Sequence, residues 1–356
     1  MIPNRLSLVA ALLVPALLSS HLPEGLIRFA PSEGSSATKT FENTAEFTLD
    51  HLSLKMNGNE PPAPPEMEMT ITSNQRVVVT DEYLATRDGA PRKLRRRFDE
   101  LGSSTSVAMR MEMMGQTQNN DQDIEGVSDL EGLKVVFTWD EESEEYVKTV
   151  ESGEARQALL KDLEEDMDLR VLLPKTEVKP GEEWEVEIES FASVLAPGGN
   201  LSILPKEMGS EQMAMGMPGM GSMSDWLRGA LEGTAKCTFV ETREIDGRQM
   251  GVIRIRAEIS VAKDMTEMVE EAMKKADLPP EAQGMSIEHM DIDYKLDAEG
   301  ELIWYLAAGH AHSFSLSGPS HANMDMSMSI EAGGQQMSIE YGMEMSGTTN
   351  LSLEVE

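Results

Sequence analysis

Cysteine is all but missing from this chain: Cys237 stands alone among 356 residues. One thiol excludes an internal disulfide and any cysteine-based metal cluster. In AKCTFVE it alternates with Ala235 and Phe239 and reads as a small, buried strand residue. Aromatic residues make up only 5%, too few for the two girdles of a membrane-spanning β-barrel. Positive charge is scarce too, with 30 Lys and Arg against 63 Asp and Glu, a formal balance of −33. That balance repels nucleic acid and anionic membrane surfaces, so neither is expected as a partner. The one basic cluster, Arg92 to Arg97, is expected to pair with the surrounding acids. Long apolar runs are absent beyond the start, where Arg5, the stretch Leu6 to Leu18 and Ser19-Ser20 read as a secretory leader over residues 1–20. The stretch falls short of the roughly 20 residues that cross a bilayer. The expected location is therefore outside the cytoplasm, periplasmic or extracellular.

The usual signatures of catalysis are also missing. There is no HExxH, no G-x-S-x-G elbow, no phosphate-binding Walker loop and no dinucleotide-binding glycine pattern. Six histidines leave few candidate bases, and the carboxylates are too numerous for one pair to stand out. A non-enzymatic protein without a cofactor is the expectation, with a hydrolase-type enzyme lacking any recognisable motif as a remote alternative.

Alternation of apolar and polar residues fills most of the remaining chain, which predicts an α+β protein, mainly antiparallel β. Residues 21–40 lack period and read as a mobile arm before an N-terminal half over residues 41–195. Ala45, Phe47 and Leu49 alternate in one phase and Leu52, Leu54 and Met56 in the other, so a bulge is expected at Asp50-His51. Met67 to Val79 and Val107 to Met113 continue the meander, the polar run Gly115 to Asp129 reads as a loop, and Leu133 to Trp139 and Tyr146 to Val150 as a hairpin. Leu159, Leu160, Leu163 and Met167 recur at helical spacing within Glu154 to Met167, behind Ser152 as a cap.

Proline and glycine at Pro174 and Pro180-Gly181 then break the chain, and Trp184, Val186 and Ile188 predict a new strand. A Gly- and Met-rich crossover over residues 196–224 leads to a C-terminal half over residues 225–356. There Asp246-Gly247 turns a hairpin, and Asp264 opens a helix with the stripe Met265, Met268, Val269, Ala272, Met273 and Ala276. Gly318-Pro319-Ser320 and Gly333-Gly334 are expected to turn the last hairpins, placing His310, His312, Phe314 and Leu316 on one face with Met324, Met326 and Met328. The architecture expected is two twisted sheets or half-barrels, each with one amphipathic helix on its apolar face.

The step Leu173-Pro174, Val178, Gly181 and Trp184 resembles the LP…V…G-D/E-x-W step of uncharacterised exported bacterial proteins, domain-of-unknown-function families with tandem β-rich halves. Gly233 to Ile255, two strands around Asp246-Gly247, is similar to the segment C-terminal to that step in those proteins. The resemblance implies an envelope location and a β-rich fold and assigns no site.

Methionine is the abundant residue, 27 in all. Thioether side chains are flexible and polarizable, so a methionine-lined sheet face suits a hydrophobic ligand. Met265, Met268, Met273, Met324, Met326 and Met328 are the candidates for such a site. The partner expected is a hydrophobic small molecule or another envelope protein. The competing expectation is a periplasmic Cu(I)- or Ag(I)-handling protein. In it Met213, Met215, Met217, Met220 and Met223 supply soft ligands, with nitrogens from His310, His312 and His321.

Overall fold

The computed structural model describes residues 27–356 except 62–65, 88, 114–115, 152–156, 207–226, 228, 276–284 and 333–334. The leader and the methionine crossover from 207 therefore lie outside the described residues. Thirteen strands make up the sheet. They are β1 (Ser36–Met56), β2 (Glu66–Arg87), β3 (Ala90–Met113), β4 (Gln116–Val127), β5 (Lys134–Asp140), β6 (Glu145–Val150) and β7 (Glu183–Val186). The rest are β8 (Leu204–Pro205), β9 (Leu231–Ile245), β10 (Arg248–Asp264), β11 (Met285–Tyr305), β12 (His310–Ala332) and β13 (Gln335–Val355). Helical pieces among the described residues are the single turn α1 (Gln157–Leu160), a 3-10 turn at Arg170–Leu172, α2 (Ile188–Leu195) and α3 (Thr266–Lys275).

The protein is mostly antiparallel β, and its strands form one large open sheet in the order β6-β5-β3-β2-β1-β13-β12-β11-β10-β9-β7. The expected pair of separate sheets is thereby corrected. The first and last strands meet in the middle, in register from Lys39↔Val355 to Met56↔Ile339, and join the two halves into one surface. Asp50 is left over between Leu49↔Met345 and His51↔Glu344, at the expected bulge. Asp246-Gly247 turns β9 into β10 as expected, with both residues at positive φ.

Four local expectations fail for identifiable reasons. Residues 27–35 are no mobile arm: Ile27 and Phe29 are buried, and Trp304 Nε1 donates to the Arg28 carbonyl at 3.3 Å. The polar run after Met113 is not a loop but β4, an edge strand laid on Gly102–Met113 of β3, where neither face needs apolar residues. Of the helix expected at 154–167, among the described residues only α1 is helical, and Arg96 takes the Glu164 and Glu165 carbonyls at 3.0 and 2.8 Å. The strand expected through Ile188 stops at Val186, and Ile188 opens α2.

Gly318-Pro319 does not turn a hairpin either; it lies inside the 23-residue β12. Proline is tolerated there because the β12·β11 ladder is interrupted between Ser317 and Ser320. A Cβ at Gly318 would collide with the Asp297 carbonyl, at Gly300 with that of Ser315 and at Gly347 with that of Glu46. These three glycines step diagonally across β11, β12 and β13 and form a corner about which the sheet bends. On one side of the corner, Leu94, Phe98, Phe137, Phe191, Ile253, Ile255 and Leu302 build the main core. On the other, the long strands carry their apolar face onward into two smaller clusters.

Candidate functional site

Two constellations share the core-bearing face of the sheet. The first is a distal trough beyond the glycine corner. Cross-strand neighbours Met69↔Met109, Ile71↔Phe47, Leu49↔Met345, Leu52↔Met343 and Met324↔Met343 place thioethers and aliphatic groups side by side. Met69, Val107 and Met345 are buried, while Phe47, Leu49, Ile71, Met109 and Met343 are partly buried. From Phe41 to Met56 on β1, and on the same face of β2, β3, β11, β12 and β13 outward from the corner, no Asp, Glu, Lys, Arg or His occurs. The acids and bases of these stretches, such as Glu46, Lys55, Glu68, Arg110, Asp325 and Glu340, alternate onto the other face.

Phe47 and Tyr294 close the inner end of the trough, edge-to-face with ring centroids 6.4 Å apart. They sit on β1 and β11, which β13 and β12 separate in the sheet. Three strand spacings in a flat sheet would set them about 14 Å apart, so the sheet is concave here. The phenol shares a hydrogen bond with Thr349 Oγ1 at 3.0 Å, and Thr349 donates to Ser320 Oγ at 3.2 Å. At the side, α3 lays Met265 and Val269 on Ile287, Met290 and Met326, with Met324 and Met328 partly buried against them. Its first turn is fixed by the Met265 amide donating to the Met290 carbonyl at 2.7 Å and the Met290 amide donating to Thr266 Oγ1 at 2.9 Å.

Of the ligand candidates, Met265, Met324, Met326 and Met328 thus come together, whereas Met268 is 41% exposed and outside that cluster. Met273 lies where side chains are outside the described residues, as do Met213, Met215, Met217, Met220 and Met223. The expected alignment of His310 and His312 with the methionine face is corrected. Ile303 pairs with Ser313 and Trp304 with Ala311, so a bulge at His312 turns Ala311 inward instead. His310 stacks edge-on with Tyr305, its Nδ1 2.7 Å from the Ala311 carbonyl.

The second constellation, not found from the sequence, is a buried ionic lattice at the near end. Lys39, Asp81 and Arg96 project from β1, β2 and β3 and are at most 1% exposed. Asp81 accepts from Lys39 at 2.7 Å and from Arg96 Nε and Nη2 at 2.7 and 2.8 Å. Asp168 takes Lys39 at 2.7 Å and the Tyr83 hydroxyl at 2.6 Å, and Arg170 pairs with Glu165 and Asp166. Burial alone would raise the Asp81 carboxyl, but Arg96 and Lys39 overcome it and hold it at about 2. Burial wins at Glu165 and, despite Arg170, pushes it up to about 7. Glu165 Oε1 and Asp168 Oδ2 have no hydrogen-bond partner. This lattice bolts the irregular segment after α1 to three strands. The only hint of it in the sequence is three charged residues standing at core phase in otherwise apolar strands. Cys237 is buried, and burial pushes its thiol up to about 12.

A cavity of about 410 Å³ lies apart from the trough and borders the lattice, between Glu164, Asp166, α2 and Leu231. Among the described residues no cluster of three or more His, Cys, Asp or Glu side chains is arranged to hold a metal ion. Nor is any helix there long and apolar enough to cross a membrane.

No family model and no curated protein matches the chain. Among solved structures, the outer membrane protein OprG from Pseudomonas aeruginosa aligns with 92% of this chain and 98% of its own, at 9% identity and a TM-score of 0.23. An outer membrane channel from Pseudomonas putida F1 aligns over 92% and 97% at 9% identity and a TM-score of 0.20. Pseudomonas putida OprB aligns over 88% and 91% at 7% identity and a TM-score of 0.17. These scores lie well below the level that marks a shared fold, and the functional reading does not rest on them.

Proposed function

We propose that the chain is an exported, non-enzymatic envelope protein that takes up an apolar ligand in the distal trough. The leader read over residues 1–20 supports export. The observation that carries the binding role is the uncharged, partly buried face that continues past the core in a chain with 63 acidic residues. A face kept only for packing would be covered by partners from the same chain, as the near end is. Among the described residues α3 covers the β11–β12 side, and Phe47, Ile71, Met109 and Met343 are only partly buried. The ionic lattice serves as an anchor for the segment between the halves: of its acids only Asp166, paired with Arg170, reaches the nearby cavity, and the raised Glu165 does not line it.

The test is fluorescence titration of the mature protein with N-phenyl-1-naphthylamine, an uncharged dye that brightens in apolar surroundings. The wild type is expected to bind it saturably. The double variant Met324→Glu/Met343→Glu, a cross-strand pair, should bind at least about tenfold more weakly, equivalent to ~1.4 kcal/mol, with its circular dichroism retained. Equal binding by both proteins overturns the proposal.

A further inference from the structure

Building on that reading, we infer that the ligand is an unbranched aliphatic chain whose head group carries no negative charge, lying along the strands with its tail stopped by Phe47 and Tyr294.

Three observations converge on this class. The trough follows the strand direction from Phe47 to Met56, which at about 3.3 Å per residue gives roughly 25–30 Å once the bulge is allowed for. That is a length suited to a long extended chain. Methionine dominates its lining, and thioethers conform to a flexible chain without imposing the rigid outline that a fused-ring ligand would need.

Its inner end is shut. The Phe47 ring lies over Gly347, its cross-strand partner, whose Cβ would fall 2.9 Å from Phe47 Cδ1. The Tyr294 hydroxyl is already engaged with Thr349, so the floor offers an incoming group only ring carbon.

The outer rim is acidic. Its charge comes from the other face of the same strand ends, where Lys55 and Arg110 are each paired, with Glu340 at 3.4 Å and Glu68 at 3.7 Å, and leave no excess of positive charge. Glu60 and Glu112 add further negative charge at that end. A carboxylate or phosphate head would meet repulsion there, whereas a hydroxyl or glyceryl head would not.

The experiment is displacement of the bound dye from the full mature chain by straight-chain alcohols from octanol to octacosanol and by the matching carboxylates. Each added methylene should tighten binding by up to about fourfold until the tail reaches the floor, after which further methylenes add nothing. Alcohols should bind at least about tenfold more tightly than carboxylates of the same length at low salt. Phe47→Ala should move the plateau to longer alcohols, and the milder Phe47→Leu should move it less, which keeps the test open if the alanine variant does not fold. If affinity climbs unbroken to octacosanol in every folded protein, or carboxylates match alcohols, this inference fails while chain uptake stands. Failure of every alcohol and carboxylate to displace the dye would instead overturn the proposed function itself.

Discussion

Phe47 and Tyr294 touch edge-to-face, 6.4 Å between ring centroids, across two intervening strands. That contact measures the curvature of the sheet and divides the packed near end from the open trough. Tyr294→Phe keeps the ring and loses one shared hydrogen bond with Thr349, so a loss of about 1 kcal/mol is expected. Tyr294→Ala removes the ring and should cost about 3 kcal/mol or more. Urea unfolding followed by circular dichroism separates the two. Equal losses would mean that the hydroxyl, not the ring, holds the floor.

The ionic lattice should be sensitive to losing one partner. Asp81→Asn leaves Lys39 and Arg96 at most 1% exposed with their shared counter-charge gone, Lys39 keeping Asp168, and a cost of about 3–5 kcal/mol is expected. By contrast, Arg97→Ala breaks only a half-exposed pair with Asp99 and should change stability by less than about 1 kcal/mol. Similar small effects at both sites would contradict the anchoring role.

Acid and neutral pH should act on the lattice in opposite senses. The folded Asp81 carboxyl sits at about 2, below its ordinary 3.8, so its stabilisation is complete above that ordinary value and is lost as pH falls toward 2. Glu165 is raised from 4.5 to about 7, so the unfolded chain ionises first and stability falls as pH rises through that window. The groups around Glu165 are Arg170, Asp166, Asp168, Arg96 and Tyr146. The decline should total on the order of 3 kcal/mol and should be absent from Glu165→Gln, while the acid-side loss persists. An unchanged slope in that variant would place the titration elsewhere.

The methionine segment gives a separate expectation. Replacing Met213, Met215, Met217, Met220 and Met223 with leucine should leave dye uptake unaltered, because the described lining of the trough supplies the apolar contacts. Cu(I) titration of the same variant under reducing conditions decides the competing role. Loss of a stoichiometric copper site there would favour soft-metal handling.

Much of the strand pattern was legible in the sequence, because alternation reports directly on a sheet with one wet face. The bulge at Asp50 and the turn at Asp246-Gly247 were readable for that reason. Gly318-Pro319 misled because the residues that make turns also make bends in continuous strands, and only the interrupted ladder tells them apart. The methionines of β12 were placed on the right face, whereas one inserted residue at His312 reversed the phase for His310 and His312. The expected pairing of Arg92 to Arg97 with acids holds, Arg96 with Asp81 among them, but the burial of that pair and its link to Asp168 were not legible, because a charge looks the same in a sequence whether it faces water or a partner from a segment 87 residues away, as Asp81 and Asp168 do across Lys39. The β1·β13 junction lay beyond local pattern altogether, since nothing near either end specifies its mate.

The trough's occupancy is the central claim, and a native mass spectrum of the mature protein purified from its own envelope tests it most directly. Wild-type protein should carry adducts of the mass of single-chain, uncharged lipids, and Met324→Glu/Met343→Glu, purified alongside, should be bare. A bare wild-type chain, or identical adducts on both proteins, would contradict the account.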